Sequence, residues 1–319
     1  MQPADDRARP LLIVLGPTAA GKSALALELA EAFGGEIVSA DALQVYRGLD
    51  VGTAKPTPEE QRRVRHHLID VLDPGEAYSA GEFARRARAA IEEIEGRGRA
   101  PLVAGGSGLY LRALTEGISP VPRGDPEVRA ELRRRLEADG LAPLAAELAR
   151  RDPETAARLG AGDAQRVLRA LEVAAVSGRP LSRWIARQPF GAERVPAVKI
   201  GLTLPRAILY DRITRRAVRM VERGWVEEVE GLLQQGCRPD APAFQAIGYR
   251  QIAAHVLGER SLASALEETI RETRRFAKRQ LTWFRREPGV EWHDARDLAG
   301  QIPHLIDSLE RRGFWRRDG

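Results

Sequence analysis

A segment of eight residues near the N terminus has the residue types and the spacing of a phosphate-binding loop. In order, these residues are Gly16, Pro17, Thr18, Ala19, Ala20, Gly21, Lys22 and Ser23. They match the pattern G-x-x-x-x-G-K-[ST], in which backbone N–H groups and the positive end of the following helix surround a diphosphate. The lysine adds a point charge, and the hydroxyl can hold Mg²⁺. We therefore predict that this loop binds a diphosphate, with Ser23 as a ligand of Mg²⁺.

A carboxylate follows a short apolar segment further along the chain. An ordinary P-loop ATPase ends another strand with an Asp near Mg²⁺, but here residues 102–104 are followed by Gly105, Gly106 and Ser107. The acidic residue is instead Asp41, just after Ile37 and Val38. In a parallel sheet this position faces the phosphate loop, and a carboxylate there can take a proton from an attacking nucleophile. The alternative is that Asp41 only caps a turn or a helix.

Residues 271–286 combine basic and aromatic side chains. They contain seven Arg and Lys residues and one acidic residue, Glu272, together with Phe276, Trp283 and Phe284. This composition is typical of a helix that contacts RNA phosphates and stacks rings on bases. The alternative is a solvated basic helix whose aromatic rings pack inward.

Two further arginines lie one turn apart on a predicted helix that follows residue 204. Arg212 and Arg216 share a face at this spacing. We predict that they reach the diphosphate, although arginine-rich helices are often only solvated.

The elements that must position these residues alternate between strands and helices. Apolar segments predict strands at residues 11–15, 37–38, 68–72, 101–104 and 198–204. Helical patterns lie at residues 22–33, 80–95, 205–224, 225–235 and 263–286. This alternation predicts an α/β fold, a P-loop NTPase-like parallel sheet flanked by helices.

The pattern becomes entirely helical between residues 125 and 177, which predicts an all-helical inserted domain. Asp125 and Pro126 form a good helix start, and Asp163 is a second cap. The predicted organisation has three parts: a flexible tail at 1–10, a P-loop core with C-terminal helices at 11–118 and 198–319, and an insertion at 119–197.

Composition limits the class of protein. The chain has 319 residues, of which 43% are apolar and 30% charged, which excludes disordered, collagen-like and membrane-spanning classes. The early apolar run at 11–15 is too short for a secretory signal or a membrane span, so we expect a cytoplasmic protein. A single Cys237 excludes a disulfide framework and a Cys-based zinc finger. The net charge of +5 suits a polyanionic partner, but it also suits an arginine-rich proteome.

Seven short strings, in one order along the chain, closely resemble the bacterial tRNA dimethylallyltransferases. They are Asp41-Ala42-Leu43-Gln44-Val45-Tyr46, Gly52-Thr53-Ala54-Lys55-Pro56, His67-Leu68-Ile69-Asp70, Gly105-Gly106-Ser107-Gly108-Leu109-Tyr110, residues 166–172, Ile247-Gly248-Tyr249-Arg250 and Ala277-Lys278-Arg279-Gln280-Leu281-Thr282-Trp283. The resemblance extends from about Leu11 to the region of Trp292, which is nearly the whole chain.

The resemblance implies transfer of a dimethylallyl group from its diphosphate to N6 of the adenosine on the 3′ side of the anticodon. Breaking the allylic C–O bond adds negative charge to the phosphates, so loop amides, Lys22 and Mg²⁺ matter most in the transition state. The resemblance also implies that Asp41 is the general base. It implies that Ser107, where the family more often has Thr, hydrogen-bonds near N6. Ala42 departs from the Ser that commonly follows the family's Asp.

The resemblance further implies a set of residues that contact the anticodon stem-loop of tRNA. They are Asp41, Ala42, Leu43, Gln44, Ser107, Arg129, Gln165, Arg166, Val167, Leu168, Arg169, Gln245, Ala246, Ile247, Gly248, Tyr249, Arg250, Lys278, Arg279, Gln280, Leu281, Thr282, Trp283, Phe284 and Arg285. Tyr249 is a candidate for stacking, because Gly248 beside it permits close approach. The family's His-Pro-Asn-Asp is replaced by Gly-Ala-Gly-Asp at 160–163. We expect a monomer.

Two alternative functions remain open at this stage. A small-molecule or nucleotide kinase also combines a P-loop with an Asp after the second strand, but it leaves the basic C-terminal helix unexplained. A nucleotide-gated RNA-binding protein without chemistry explains that helix, but not the position of Asp41 beside the phosphate loop.

Overall fold

The computed structural model describes residues 10–160, 162–187, 189, 191 and 194–315. Within these residues a sheet of six strands has the order β3-β2-β4-β1-β5-β6, and every neighbouring pair is parallel. The strands are β1 (Leu11–Leu15), β2 (Glu36–Ala40), β3 (His66–His67), β4 (Pro101–Gly105), β5 (Ala197–Thr203) and β6 (Val290–Asp294). All five residues of β1 are buried, as expected for a parallel strand covered on both faces. The predicted α/β fold with a parallel sheet is confirmed.

The described residues also form α-helices. They are α1 (Lys22–Phe33), α2 (Pro58–Arg63), α3 (Ala80–Gly96), α4 (Gly108–Glu116), α5 (Pro126–Asp139), α6 (Leu141–Arg151), α7 (Pro153–Arg158), α8 (Ala164–Ser177), α9 (Leu181–Arg187), α10 (Arg206–Glu222), α11 (Trp225–Gln234), α12 (Tyr249–Val256), α13 (Leu262–Phe284) and α14 (Leu298–Arg311). The main core lies between the sheet and α1, α10 and α14, with Leu25, Leu202 and Leu305 among its members. A second core joins Tyr46 to Trp225 and Tyr249.

Two parts of the sheet and one helix differ from the sequence prediction. Residues 68–72 are not a strand: the strand ends at His67, and the chain then turns through left-handed conformations at Leu68 (φ 62°) and Asp70 (φ 55°). A positive φ cannot belong to an extended strand, so the apolar composition of this segment misled the prediction. The edge strand β6 and the helix α14 were not predicted, and α14 contains Pro303.

Contacts divide the chain into two units, Met1–Thr115 with Val195–Gly319, and Glu116–Arg194. The smaller unit contains α5 to α9 and has its own apolar core, which includes Leu132, Leu148 and Leu171. The flexible tail predicted at 1–10 lies outside the described residues except for Pro10. None of the described helices is both long enough and apolar enough to span a bilayer.

Candidate functional site

The strand order brings three loops to one edge of the sheet. β2, β4 and β1 are neighbours, and the register pairs Gly105 with both Ala40 and Leu15. The residues that follow these three strands are Asp41, the Gly106-Ser107 turn and the phosphate loop. All three segments therefore leave the sheet at its carboxyl edge, where open α/β sheets bind ligands.

The phosphate loop has a backbone that requires glycine at its first position. Gly16 has a φ of 144°, and a Cβ there would lie 2.7 Å from the carbonyl oxygen of Leu202 on the neighbouring strand. Helix α1 begins at Lys22, and the Lys22 ammonium donates a hydrogen bond to the carbonyl oxygen of Pro17 at 2.9 Å. The predicted strand, loop and helix are all present in this order.

Two cations beside the loop have no carboxylate partner. Lys22 donates to Pro17, and Arg216 donates to the Thr18 hydroxyl (3.4 Å) and to the Thr53 carbonyl oxygen (3.3 Å); neither forms an ion pair within the described part of the chain. The pKa of Lys22 is lowered to about 8, mainly by burial; Asp41 opposes this shift, and the positive charge of Arg216 contributes to it. Burial also lowers the pKa of Arg216. Two enclosed positive charges that form no ion pair with a described carboxylate make a site for an anion.

A cavity of about 470 Å³ opens beside the loop, within the range of roughly 300–1,000 Å³ usual for small-ligand sites. Its charged side chains are Lys22, Asp41, Arg216 and Arg279, and its hydroxyl groups include those of Ser23 and Ser107. Its apolar wall comes from Ile213, Ala217, Met220, Trp225, Ile247 and Phe276. The cavity thus combines an anion-binding end with a wall that suits a small apolar group.

Asp41 both caps a turn and lines this cavity. Its Oδ1 accepts hydrogen bonds from the backbone N–H groups of Leu43 (2.9 Å) and Gln44 (3.4 Å), whereas its Oδ2 has no partner among the described residues. The capping alternative is therefore part of the structure, but it occupies one oxygen only. The cap fixes the orientation of the carboxylate and leaves the second oxygen free to accept a proton.

Glu228 on α11 holds the loop at residues 50–52, and sequence analysis did not identify it. Its carboxylate accepts hydrogen bonds from the backbone N–H groups of Asp50 (2.7 Å), Val51 (2.6 Å) and Gly52 (3.3 Å). It also accepts one from the Tyr249 hydroxyl at 2.6 Å. No sequence signal distinguishes Glu228 from the other glutamates of this helix, because its role depends on a loop about 180 residues away.

Tyr249 is fully buried, with its ring edge-on to Trp225 and Phe244. In this arrangement no face of the ring is exposed for stacking on a base, so this structure does not support the predicted stacking. A Cβ at the neighbouring Gly248 would lie 2.2 Å from the Trp225 ring, so the close approach that this glycine permits is to a tryptophan of the same chain. Of the same segment, Gln245, Ala246 and Ile247 line the cavity, and Arg250 is exposed.

The structure separates the two arginines that were predicted to bind diphosphate. Arg216 lines the cavity beside Thr18. Arg212 donates to the carbonyl oxygen of Ala295, and it is not part of the cavity lining. The helix turns the Arg212 side chain toward the segment after β6, so its contact with the diphosphate is not formed in this structure and stays a prediction.

The residues predicted on α13 and just after it divide between its exposed and buried sides. Lys278, Arg279, Thr282, Trp283 and Arg285 are exposed, and Arg279 also lines the cavity. Phe284 and Gln280 are buried, and Leu281 packs partly on the main core. The buried side chains are not exposed to RNA in this structure, so the predicted RNA contacts of this segment are supported at its exposed residues and stay predictions at the buried ones.

Within the smaller unit, two of the arginines predicted to bind RNA neutralise one buried acid. Glu172 is buried, and it pairs with Arg129 at 2.9 Å and with Arg169 at 2.7 Å. Val167 is buried in the core of this unit, and Leu168 packs against that core. Gln165 and Arg166 are exposed on the first turn of α8.

The donor set suits Mg²⁺ bound together with a phosphate ligand. Among the described residues there is no cluster of three or more His, Cys, Asp or Glu side chains placed to hold a metal on their own. Ser23 and Asp41 contribute oxygen atoms to the same cavity. Mg²⁺ prefers oxygen ligands, and it usually binds through one or two protein groups plus substrate phosphates, so these residues fit it.

Comparison with protein families gives a match over most of the chain. The family model described as IPP transferase matches residues 44–287. A protein of Syntrophobacter fumaroxidans named tRNA dimethylallyltransferase is 48% identical over 93% of this chain and 87% of its own length. A protein of the same name from Geobacter metallireducens is 50% identical over 96% of this chain and 97% of its own length.

Solved structures give the same result. The full-length tRNA isopentenylpyrophosphate transferase of Bacillus halodurans matches with a TM-score of 0.69 and 38% identity, covering 95% of this chain and 96% of its own. A eukaryotic dimethylallyltransferase acting on tRNA matches with a TM-score of 0.79 and 25% identity, covering 96% of this chain and 80% of its own. The predicted resemblance is confirmed, and the kinase alternative is wrong.

Proposed function

The chain belongs to the IPP transferase family, and we propose that it transfers a dimethylallyl group from dimethylallyl diphosphate to N6 of an adenosine in tRNA. The acceptor is the adenosine on the 3′ side of the anticodon. The observation that carries this proposal is that one cavity contains Lys22, Arg216, an apolar wall and Asp41.

The donor occupies the phosphate-loop end of the cavity. The diphosphate accepts hydrogen bonds from loop amides and lies beside Lys22 and Arg216, which form no ion pair with any carboxylate of the described residues. The five-carbon group contacts the apolar wall, which includes Met220 and Trp225. Because the leaving diphosphate gains negative charge as its C–O bond breaks, these cations stabilise the transition state more than the ground state.

The acceptor amine approaches from the side of Asp41 and Ser107. The N6 lone pair is delocalised into the adenine ring, so attack must be accompanied by loss of a proton. The bond between C1 and the diphosphate oxygen breaks, the bond between C1 and N6 forms, and the N6 proton moves to the free oxygen of Asp41. The Ser107 hydroxyl hydrogen-bonds near the same amine, and diphosphate is released.

Ser23 would hold Mg²⁺ together with the diphosphate. The ion would neutralise part of the charge that develops on the leaving group. The exposed residues of α13 and the first turn of α8 supply contacts to the anticodon stem-loop, since they carry Lys278, Arg279 and Arg166 at the surface. We further propose that the protein acts as a monomer in the cytoplasm, where tRNA is found.

The test uses purified protein, Mg²⁺ and an unmodified tRNA with adenosines on the 3′ side of its anticodon. Parallel reactions contain dimethylallyl diphosphate or ATP, and nucleosides are analysed by mass spectrometry. We expect a dimethylallyl adduct on that adenosine only with the prenyl donor and only without a chelator. A folded protein that binds tRNA and leaves it unmodified would instead support the RNA-binding alternative.

A further inference from the structure

Gln280 is a buried amide on the basic part of α13. Only 6% of the surface of Gln280 is exposed, whereas its neighbours Lys278 and Arg279 are exposed. Burying a primary amide is unfavourable unless its oxygen and its nitrogen are both hydrogen-bonded. The partners of this amide therefore indicate why a polar residue is placed here.

The two ends of the amide reach two different loops. Its Oε1 accepts a hydrogen bond from the backbone N–H of Thr18 at 2.9 Å, and its Nε2 donates to the carbonyl oxygen of Gly106 at 2.9 Å. Thr18 belongs to the phosphate loop, and Gly106 precedes Ser107. One side chain thus connects the loop assigned to the donor with the turn assigned to the acceptor.

This connection depends on close packing between α13 and the turn after β4. A Cβ at Gly106 would lie 2.3 Å from the Gln280 Nε2, and a Cβ at Gly108 would lie 2.3 Å from the Trp283 indole. Gln280 and Trp283 lie one helical turn apart. Two successive turns of α13 therefore pack closely against the segment that contains Gly106 and Gly108. A side chain at position 106 would push the amide away from its partners.

We propose that Gln280 is a positioning residue that fixes the separation between the leaving diphosphate and the attacking amine. It acts through the Thr18 amide and the Gly106 carbonyl, which it holds in one geometry. The inference rests on the proposed function, because that function assigns the two substrates to these two loops. A misplacement of reacting groups by about 1 Å lowers a rate by about a hundredfold.

The test compares Gln280→Met with Gln301→Met. Methionine has nearly the size of glutamine and removes both hydrogen bonds. Gln301 is a matched control, because its amide nitrogen donates to the backbone carbonyl oxygens of Asp294 (2.7 Å) and Asp297 (3.0 Å) within one local segment, and it does not line the cavity. We expect Gln280→Met to lower kcat about a hundredfold, with KM for the donor and for tRNA within about threefold of wild type. Gln301→Met keeps the wild-type kcat.

A second variant separates positioning from packing. Gln280→Glu keeps the size and the acceptor for the Thr18 amide, but its carboxylate faces the Gly106 carbonyl oxygen and donates only when protonated. Burial against a carbonyl raises the pKa of such a carboxyl. We expect the ratio of variant to wild-type kcat to rise as the pH falls from about 8 to about 6, measured on folded enzyme at saturating substrates.

The outcomes distinguish this inference from the function on which it rests. If the wild type forms the adduct and Gln280→Met keeps its kcat, the inference is wrong while the function stands. It is also wrong if both methionine variants lose kcat in proportion to their thermal stability, or if the ratio for Gln280→Glu does not change with pH. If the wild type forms no adduct, both proposals are wrong.

Discussion

The side chain of Asp41 has a structural oxygen and a free oxygen, and a single substitution separates them. Oδ1 accepts from the backbone N–H groups of Leu43 and Gln44, and the side chain lines the cavity. Asn keeps an acceptor for the cap but cannot remove a proton. We expect Asp41→Asn to lower the single-turnover rate of adduct formation by about 10²–10⁴-fold, with tRNA affinity and thermal midpoint near the wild-type values.

The control for this prediction is Asp297→Asn. Asp297 caps α14 by accepting a hydrogen bond from the backbone N–H of Gly300, and it does not line the cavity. The control therefore changes a capping carboxylate that is not part of the cavity, and it measures the effect of the same substitution on a cap alone. A near-normal rate in Asp41→Asn would remove the general-base role, as would an equal rate loss in both variants.

The lowered pKa of Lys22 makes diphosphate binding depend on pH. In the free protein this pKa is about 8 because of burial, and a bound anion raises it again. Binding therefore takes up a proton above about pH 8, and the affinity falls by up to about tenfold for each further pH unit. Calorimetric titration with inorganic pyrophosphate in buffers of different ionisation enthalpy measures both effects.

Lys22→Met gives the reference for this titration, because its side chain is neutral at every pH. Any pH dependence of pyrophosphate binding that remains in the variant comes from pyrophosphate or from other groups of the protein.

The lowered pKa of Lys22 also determines how the stability of the fold changes with pH. Below about pH 8 the folded and unfolded chains both carry the proton, and the buried charge costs stability. Between about 8 and 10.5 only the unfolded chain is protonated, so this cost falls as the pH rises. The prediction for binding is wrong if the affinity of the wild type for pyrophosphate changes with pH in the same way as the affinity of Lys22→Met.

At the scale of the element, Glu228 fixes α11 to the loop at residues 50–52. It accepts three backbone N–H groups and the Tyr249 hydroxyl, and hydrogen bonds to a charged acceptor are stronger than neutral ones. We expect Glu228→Gln to lower the free energy of unfolding by about 2 kcal/mol, measured by urea unfolding. The donor KM should rise as well, because Arg216 donates to Thr53 in the same loop.

The neighbouring Glu227 provides the matched control for the Glu228 variant. It lies on the same helix and is exposed. Glu227→Gln makes the same chemical change without the loop contacts, so we expect stability within about 0.5 kcal/mol of wild type. If the two variants lose the same free energy of unfolding, the cause is the loss of a negative charge on the helix, and the loop contacts of Glu228 are not responsible.

Local patterns predicted the elements that a few adjacent residues determine. The phosphate loop needs only a buried strand, its glycines and the start of a helix, all within residues 11–33. The position of Asp41 followed from the ends of parallel strands. Residues 68–72 failed because tertiary contacts set their conformation: Asp70 has a positive φ and pairs with Lys55 at 2.5 Å.

The residues around the site were harder to predict. Consecutive residues of a helix point in different directions, so they cannot all contact one ligand. Consecutive helical residues are rotated by about 100°, so residues 278–285 could not all contact RNA. Phe284 packs in the core, and Gln280 connects two loops. The partners of Gln280 lie 262 and 174 residues away in sequence, and no local pattern contains them.

At the scale of the whole molecule, the excess of positive charge is small, so its location matters more than its sum. The chain has 50 Lys and Arg residues against 45 Asp and Glu residues. Exposed cations recur along the C-terminal part of α13 and just beyond it, at Arg271, Arg275, Lys278, Arg279, Arg285 and Arg286. We infer that this helix contributes much of the salt-dependent attraction for tRNA.

Each cation that contacts a phosphate releases counterions, so the slope of log affinity against log salt concentration counts such contacts. We expect Lys278→Ala to reduce this slope by about one and to weaken every tRNA by a similar factor. Arg238→Ala is the control, because Arg238 is exposed, pairs with Asp240 at 2.8 Å and lies outside α13. A filter-binding series over several salt concentrations measures both variants. If Lys278→Ala leaves the slope unchanged, or if Arg238→Ala lowers it equally, the attraction is spread over the molecule and α13 is not its main source.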